Sequence, residues 1–291
     1  MPTNLKSDAT ASGTFRIAND LPVHRLGYGA MRVTGEGVFG PPDDREAAIR
    51  VLQRVVELGI DFIDTADSYG PYVSEELIAE ALHPYPEGLV IATKAGLERP
   101  GPGEWTENGR PEHLREACEG SLRRLKVERI DLYQLHRIDP DVPAEDQFGT
   151  LVELRDEGKI RHIGLSEVGV EEVRQASEHF EVASVQNRYN VADREWDDVV
   201  EHCTQEGIAF IPWFPLNTGK LAAGEQEAVQ RVAEKHGASS AQVALAWLLH
   251  RSPVILPIPG TSSIDHLEEN TAAASVDLDD EDMATLDGLG D

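Results

Sequence analysis

The chain has 291 residues, 40% of them hydrophobic and 6% aromatic, which suits a globular protein in water with a sizeable core. It carries 53 acids against 26 bases, a formal net charge of −27, and so disfavours nucleic acid and anionic membranes as partners. No apolar run approaches the roughly 20 residues that span a bilayer. The polar start "MPTNLKSDATASG" lacks the apolar core of a signal peptide, so a cytoplasmic setting is expected.

Six of the bases are lysine and 20 are arginine. An acidic, lysine-poor surface suits concentrated salt, where screening weakens repulsion among carboxylates. Cys118 and Cys203 stand far apart and form neither a metal pattern nor a disulfide framework. They read as small core residues.

Residues 1–13 read as a flexible tail and residues 14–291 as one domain. "TFRIANDLPVHR" predicts a hairpin turning at Asn19-Asp20. Eight short strand-like runs follow, at 25–31, 61–67, 89–96, 130–139, 160–167, 183–190, 208–216 and 254–260. Helical spacing fills the gaps. "DDREAAIRVLQRVVELG" places Ile49, Leu52, Val55 and Val56 on a stripe that ends at Gly59. Asp43 or Asp44, Ser74, and Asp193 or Arg194 mark helix starts. "DLDDEDMATLDGL" predicts a short acidic helix at the end.

Strand–helix units in this number predict an α/β fold, the (β/α)8 TIM barrel with an N-terminal β-hairpin and a C-terminal helix. A doubly wound sheet is the main rival. In a barrel, functional groups gather where strands end. The ends of these runs are polar: Asp64 with Tyr69, Lys94, His136, Ser166 with Glu167, and Gln186 with Asn187. Inside helix-covered parallel strands such groups would be costly.

Several chemistries fail on spacing. "GEGVFG" (Gly35, Gly37, Gly40) matches a dinucleotide fingerprint, but Pro41-Pro42-Asp43-Asp44 delays the helix by a turn. Gly164-Leu165-Ser166-Glu167-Val168 lacks the closing glycine of a nucleophile elbow. No paired histidines suggest a metal. What remains is Asp64, Tyr69, Lys94 and His136. A phenol is a poor acid near neutrality. An adjacent ammonium lowers its pKa, a carboxylate fixes that ammonium, and a histidine orients a substrate oxygen. Each residue alone has a plainer reading, as turn, rim or structural residue. Asp67 reads as a turn or rim acid.

The motifs "DFIDTADSYG", "IATKAG", "DLYQLH", "GLS", "VQNRYN" and "PIPGTSSIDHLEEN", in this order, resemble the aldo-keto reductase family from about residue 14 to 287. The resemblance implies a barrel that binds NADP(H), with NAD(H) as the alternative, and reduces small aldehydes or ketones by hydride transfer. It implies Tyr69 as acid, Lys94 and Asp64 behind it, and His136 orienting the carbonyl. It places Ser166 and Gln186 on the carboxamide and Trp213 against the nicotinamide. Gly29, Ala30 and Met31 would run along the cofactor. Pro215, Leu216, Gly219 and Lys220 would cover the pyrophosphate. Gly260, Thr261, Ser262, Ser263, His266, Glu269 and Asn270 would surround the adenosine and its 2′-phosphate.

Two positions depart from the family pattern. Glu167 stands where asparagine is frequent, and a carboxylate cannot donate the same bond. Gly260 and His266 stand where many members carry lysine and arginine for the 2′-phosphate. Two other function classes compete: a cofactor-binding regulatory or sensor protein of the same fold with incidental turnover, and a metal-dependent barrel hydrolase. Met31, Trp105, Asn217, the 35–40 loop and the 98–111 insertion are expected to shape the substrate end.

Overall fold

In the computed structural model, which describes residues 7–217 and 227–289, the chain opens with a 3-10 turn, Ala9–Ser12. Ala9 is buried and its amide donates to Leu58 O at 2.9 Å. This part of the segment expected to be a free tail is therefore packed. The hairpin follows as β1 (Thr14–Ile17) and β2 (Leu21–His24). Its turn puts Ala18 and Asn19 at φ 46° and 64°, a left-handed geometry that asparagine tolerates well.

The parallel strands come next: β3 (Tyr28–Gly29), β4 (Phe62–Asp64) and β5 (Val90–Ala95). A small antiparallel ribbon, β6 (Leu97–Glu98) with β7 (Thr106–Glu107), rises from the end of β5. The parallel series resumes with β8 (Ile130–Leu135), β9 (Ile160–Ser166), β10 (Val182–Gln186) and β11 (Ala209–Phe210). The sheet order follows chain order from β3 to β11 without β6 and β7. Residues 254–258 then close the ring. Phe210 N donates to Val254 O at 2.9 Å, Leu256 N to Phe210 O at 2.8 Å, and Gly27 N to Pro257 O at 2.9 Å. The eighth stave is thus present but barely regular, with one bridge between Phe210 and Ile255. Pro257 and Pro259 have no amide proton to give a ladder.

The helices between staves are α1 (Arg45–Glu57), α2 (Val73–Leu82), α3 (Pro111–Leu125), α4 (Ala144–Asp156), α5 (Val170–Ser177), α6 (Asp197–Glu206), α7 (Glu227–His236) and α8 (Ser240–Arg251). Beyond them lie α9 (Ile264–Ala272) and the expected terminal helix, α10 (Asp280–Asp287). Asp44 caps α1 by accepting from Ala47 N at 2.8 Å. The buried face of α1 is Ala48, Val51, Leu52 and Val55, while Ile49 and Val56 are only half-buried. That face is rotated from the expected stripe because α1 also packs against α2 and α9. Burying Leu52 fully contributes about 1.5–3 kcal/mol. Two helix starts move. α2 begins after Tyr72, at φ 70°, so Ser74 lies inside its first turn and is fully buried. α6 begins after Trp196, because Asn190 and Asp193 exchange backbone hydrogen bonds in a tight turn.

Side chains alternate across each strand, so every second residue faces the barrel axis. Ile17, Leu21 and Val23 of the hairpin join Phe62, Val90, Ala92, Leu132, Ala183, Ala209 and Leu256 in one apolar cluster. The hairpin plugs the mouth at the strands' N-terminal ends. The opposite end is left for polar groups.

Candidate active site

One residue pair further along each stave the axial row turns polar. Phe62 gives way to Asp64, Ala92 to Lys94, and Leu132 to Gln134 and then His136. Gly164, in register with Gln134 and Ser184, leaves the axis open for them. A Cβ at Gly164 would lie 2.1 Å from Ser184 Oγ and 2.9 Å from Gln134 Cγ.

These groups form one buried network. Lys94 Nζ donates to Asp64 Oδ2 at 2.7 Å, to Thr65 O at 2.8 Å and to Tyr69 Oη at 3.4 Å. Gln186 Nε2 donates to Asp64 Oδ1 at 2.8 Å, and Gln134 Nε2 to the same oxygen at 3.2 Å. Asp64 thus accepts three donors, as a buried carboxylate must to offset lost hydration. Burial opposes the charge on Lys94, but Asp64 and Tyr69 outweigh it and its pKa stands above the ordinary value. Lys94 is therefore a permanent ammonium.

For Tyr69 the order of effects differs from the sequence expectation. Burial raises its pKa, and this outweighs the downward pull of Lys94 and Arg137. The phenol stays above its ordinary value and keeps its proton. His136 is held well below its ordinary pKa by burial first, then by Lys94 and Arg137. It is a neutral imidazole, with Nδ1 3.3 Å from Ser68 Oγ. Tyr69, His136 and Trp105 meet edge to face, with centroids 6.0–6.4 Å apart.

Tyr69 and His136 line a cavity of about 790 Å³. Of the other sequence-proposed residues, Gly29, Met31, Asp64, Ser166, Gln186, Trp213, Pro215, Leu216, Gly260, Thr261, His266, Glu269 and Asn270 line it too. Lys94 lies beneath the floor, fully buried. Ala30 does not reach the cavity; it is buried, and its carbonyl accepts from Ser74 Oγ at 3.1 Å. Ser262 and Ser263 face a separate shallow hollow with Arg50 and Asp265. The Ser263 hydroxyl is turned to cap α9, accepting from His266 N at 3.4 Å. Gly219 and Lys220 lie outside the described residues.

Glu167 has a role of its own. It sits at φ 55°, and its carboxylate accepts from the Trp213 indole N–H at 2.6 Å and from Arg188 N at 2.8 Å. The residue that cannot donate instead clamps the indole at the cavity wall. Asp67 is buried rather than on the rim. Burial and then Glu75 push it well above the usual carboxylate range, and its Oδ1 has no protein partner.

Sequence reasoning missed Gln134, Arg32, Arg99 and Arg137. Gln134 shares the period-two row of Leu132 and His136, which was a readable signal. Arg137 lines the cavity and donates to Ser166 Oγ at 3.1 Å. Arg99 lies 3.6 Å from the Trp105 ring centroid and donates to Ser68 O and Gly37 O, tying the β6–β7 ribbon to the catalytic strand end. The insertion therefore contributes Trp105 and Glu107 to the cavity wall, beside Leu97.

The barrel thus carries a buried ammonium–carboxylate pair behind a protonated phenol at the floor of a large cavity. Comparison with known proteins gives the family. A model of the Aldo/keto reductase family matches residues 25–291. The chain is 53% identical over 283 residues to an uncharacterized oxidoreductase of Schizosaccharomyces pombe, covering 97% of this chain and 92% of the relative. It is 43% identical over 285 residues to pyridoxine 4-dehydrogenase of Escherichia coli, covering 96% and 99%. An aldo-keto reductase of Klebsiella pneumoniae, solved in complex with NADPH, superposes with a TM-score of 0.79 at 28% identity, covering 95% of this chain and 94% of that one. The chain belongs to the aldo/keto reductase family and is an NAD(P)H-dependent carbonyl-reducing enzyme.

Proposed function

We propose that this enzyme reduces an aldehyde or ketone to the alcohol with NADPH, using Tyr69 as the general acid. The observation that carries the reading is the buried chain Asp64–Lys94–Tyr69, which ends with a protonated phenol beside neutral His136 at the cavity floor.

The residues present fit the cofactor. Gln186 spends its amide N–H on Asp64, which leaves Oε1 to accept from a carboxamide. Ser166 Oγ accepts from Arg137, which leaves its own proton to donate. The Trp213 ring is fixed by Glu167 and offers a flat wall. When bound, the nicotinamide supplies the hydride.

The chain's own residues do the rest. A carbonyl oxygen seated between the Tyr69 hydroxyl and the His136 ring receives two hydrogen bonds. His136 donates from the nitrogen not facing Ser68. As negative charge develops on that oxygen, Tyr69 gives up its proton. The phenolate left behind lies beside the Lys94 ammonium, which favours the transfer in a site where burial alone would oppose it. Asp64, held by Gln134 and Gln186, keeps that ammonium in place.

The Tyr69, His136 and Trp105 rings favour a flat aromatic aldehyde. A relative named pyridoxine 4-dehydrogenase supports testing pyridoxine and its 4-aldehyde first. The test is consumption of NADPH with a panel of aromatic and aliphatic aldehydes and ketones. Rapid turnover with aromatic aldehydes is expected. Tight NADPH binding with no carbonyl reduced would overturn the enzyme reading and favour the regulatory one.

A further inference from the structure

Gly260 stands where many family members carry a lysine for the 2′-phosphate, and in this chain the neighbouring backbone leaves no room for a side chain. A Cβ on Gly260 would lie 2.6 Å from Gly29 O. A Cβ on Gly29 would in turn lie 2.7 Å from Ile258 O. The two backbones are in contact, and Tyr28 Oη donates to Thr261 O at 2.6 Å to hold them so. In this chain the approach of the two backbones leaves no room for a Cβ at either glycine.

The same contact brings in another cation. The position a Gly260 Cβ would take is 3.5 Å from Arg32 Cγ. Arg32 belongs to the 3-10 turn Ala30–Val33 that follows β3. Its stem covers Gly260, its side chain is exposed, and it lines the same cavity as Thr261, His266 and Asn270. Among the described residues Arg32 makes no ion pair or hydrogen bond through its guanidinium. In a chain with 53 acids and 26 bases, an arginine left without a carboxylate at a ligand cavity is conspicuous. Arg50, the other nearby arginine, faces the separate hollow and lies 3.8 Å from both Asp44 and Glu46.

We infer that Arg32 is the cationic partner of the cofactor's 2′-phosphate in this enzyme, taking from the β3 side the role that a side chain at position 260 cannot fill. The inference rests on the NADPH reading above. A guanidinium offers paired N–H donors to phosphate oxygens.

The experiment is equilibrium binding to the full chain, read by tryptophan fluorescence or calorimetry, for NADPH, NADH, adenosine 2′,5′-bisphosphate and 5′-AMP. Proteins compared are the parent, Arg32→Gln, Arg32→Lys and Arg50→Gln. Arg32→Gln is expected to weaken NADPH and the bisphosphate about tenfold to hundredfold, the value of a charge-assisted pair. NADH and 5′-AMP should shift by less than about twofold on the same reasoning. Arg32→Lys should keep part of the preference, and Arg50→Gln should match the parent. Equal weakening of NADPH and NADH would overturn the inference by assigning Arg32 to the pyrophosphate. An unchanged NADPH affinity in Arg32→Gln would also overturn it. A parent protein with no NADPH preference would instead refute the NADPH reading, before any variant is made, and the inference with it.

Discussion

The two ends of the cavity are built on opposite principles. At the Tyr69 end the Asp64–Lys94 pair has its partners inside the barrel: Asp64 accepts from Lys94, Gln134 and Gln186, and all four are buried. At the other end, proposed for the adenosine, Arg32 and His266 are exposed with side chains unpaired among the described residues, and residues 29 and 260 approach backbone to backbone. If Tyr69 is the acid proposed above, the first end must hold one geometry to within a fraction of an ångström. The second needs only to present charge and hydrogen-bond donors to a polyanion, and can draw them from different strands.

The contrast is tested most severely at Lys94. Lys94→Met leaves Asp64 buried without its countercharge, so stability should fall by about 3–5 kcal/mol and activity should be lost. Chemical denaturation of the two proteins checks the first, and NADPH consumption the second. If Lys94→Met were as stable as the parent, the floor would not be the interlocked network described.

A smaller effect is expected from His136 through pH. Its pKa in the folded protein lies well below the ordinary 6.5. Below that value the unfolded chain takes up a proton that the folded chain refuses, so this contribution to stability is present above pH 6.5 and is lost as pH falls. The slope is at most about 1.4 kcal/mol per pH unit. The melting temperature of the parent minus that of His136→Gln should therefore fall on acidification below 6.5 and be flat above it. A flat difference throughout would place an ordinary histidine there.

The smallest effect concerns substrate shape. Trp105→Ala removes an exposed ring that touches Tyr69 and His136 edge-on. Such ring pairs contribute about 0.5–1.5 kcal/mol, so KM for aromatic aldehydes should rise several-fold while aliphatic ones change less. Equal effects on both would remove the argument for an aromatic substrate.

How much of this was legible beforehand divides along the same line. That Asp64, Tyr69, Lys94 and His136 share one place could be read because all four fall at the ends of successive apolar runs, a coincidence their separate turn, rim or structural readings do not explain. Gln134 was masked by its apolar neighbours, although it lies in the same alternating row. Asp67 looked like a turn acid, and only the folded chain shows it buried. The direction of the Tyr69 shift was misjudged because an adjacent charge can be seen in a sequence and the depth of burial cannot. Arg32 was out of reach, since only the fold brings it to Gly260 across the barrel seam. The start of α2 slipped for a local reason, a left-handed Tyr72 that no capping rule suggests.

The most direct test of the catalytic chain is Tyr69→Phe, measured in parallel for NADPH affinity and for turnover of the best aldehyde. The expected result is an NADPH affinity within about twofold of the parent, since the phenol hydroxyl meets the substrate oxygen and not the dinucleotide phosphates, with kcat reduced by about 10²–10⁴-fold. A variant that binds NADPH normally and still turns over at the parent rate would contradict the assignment of Tyr69 as the acid.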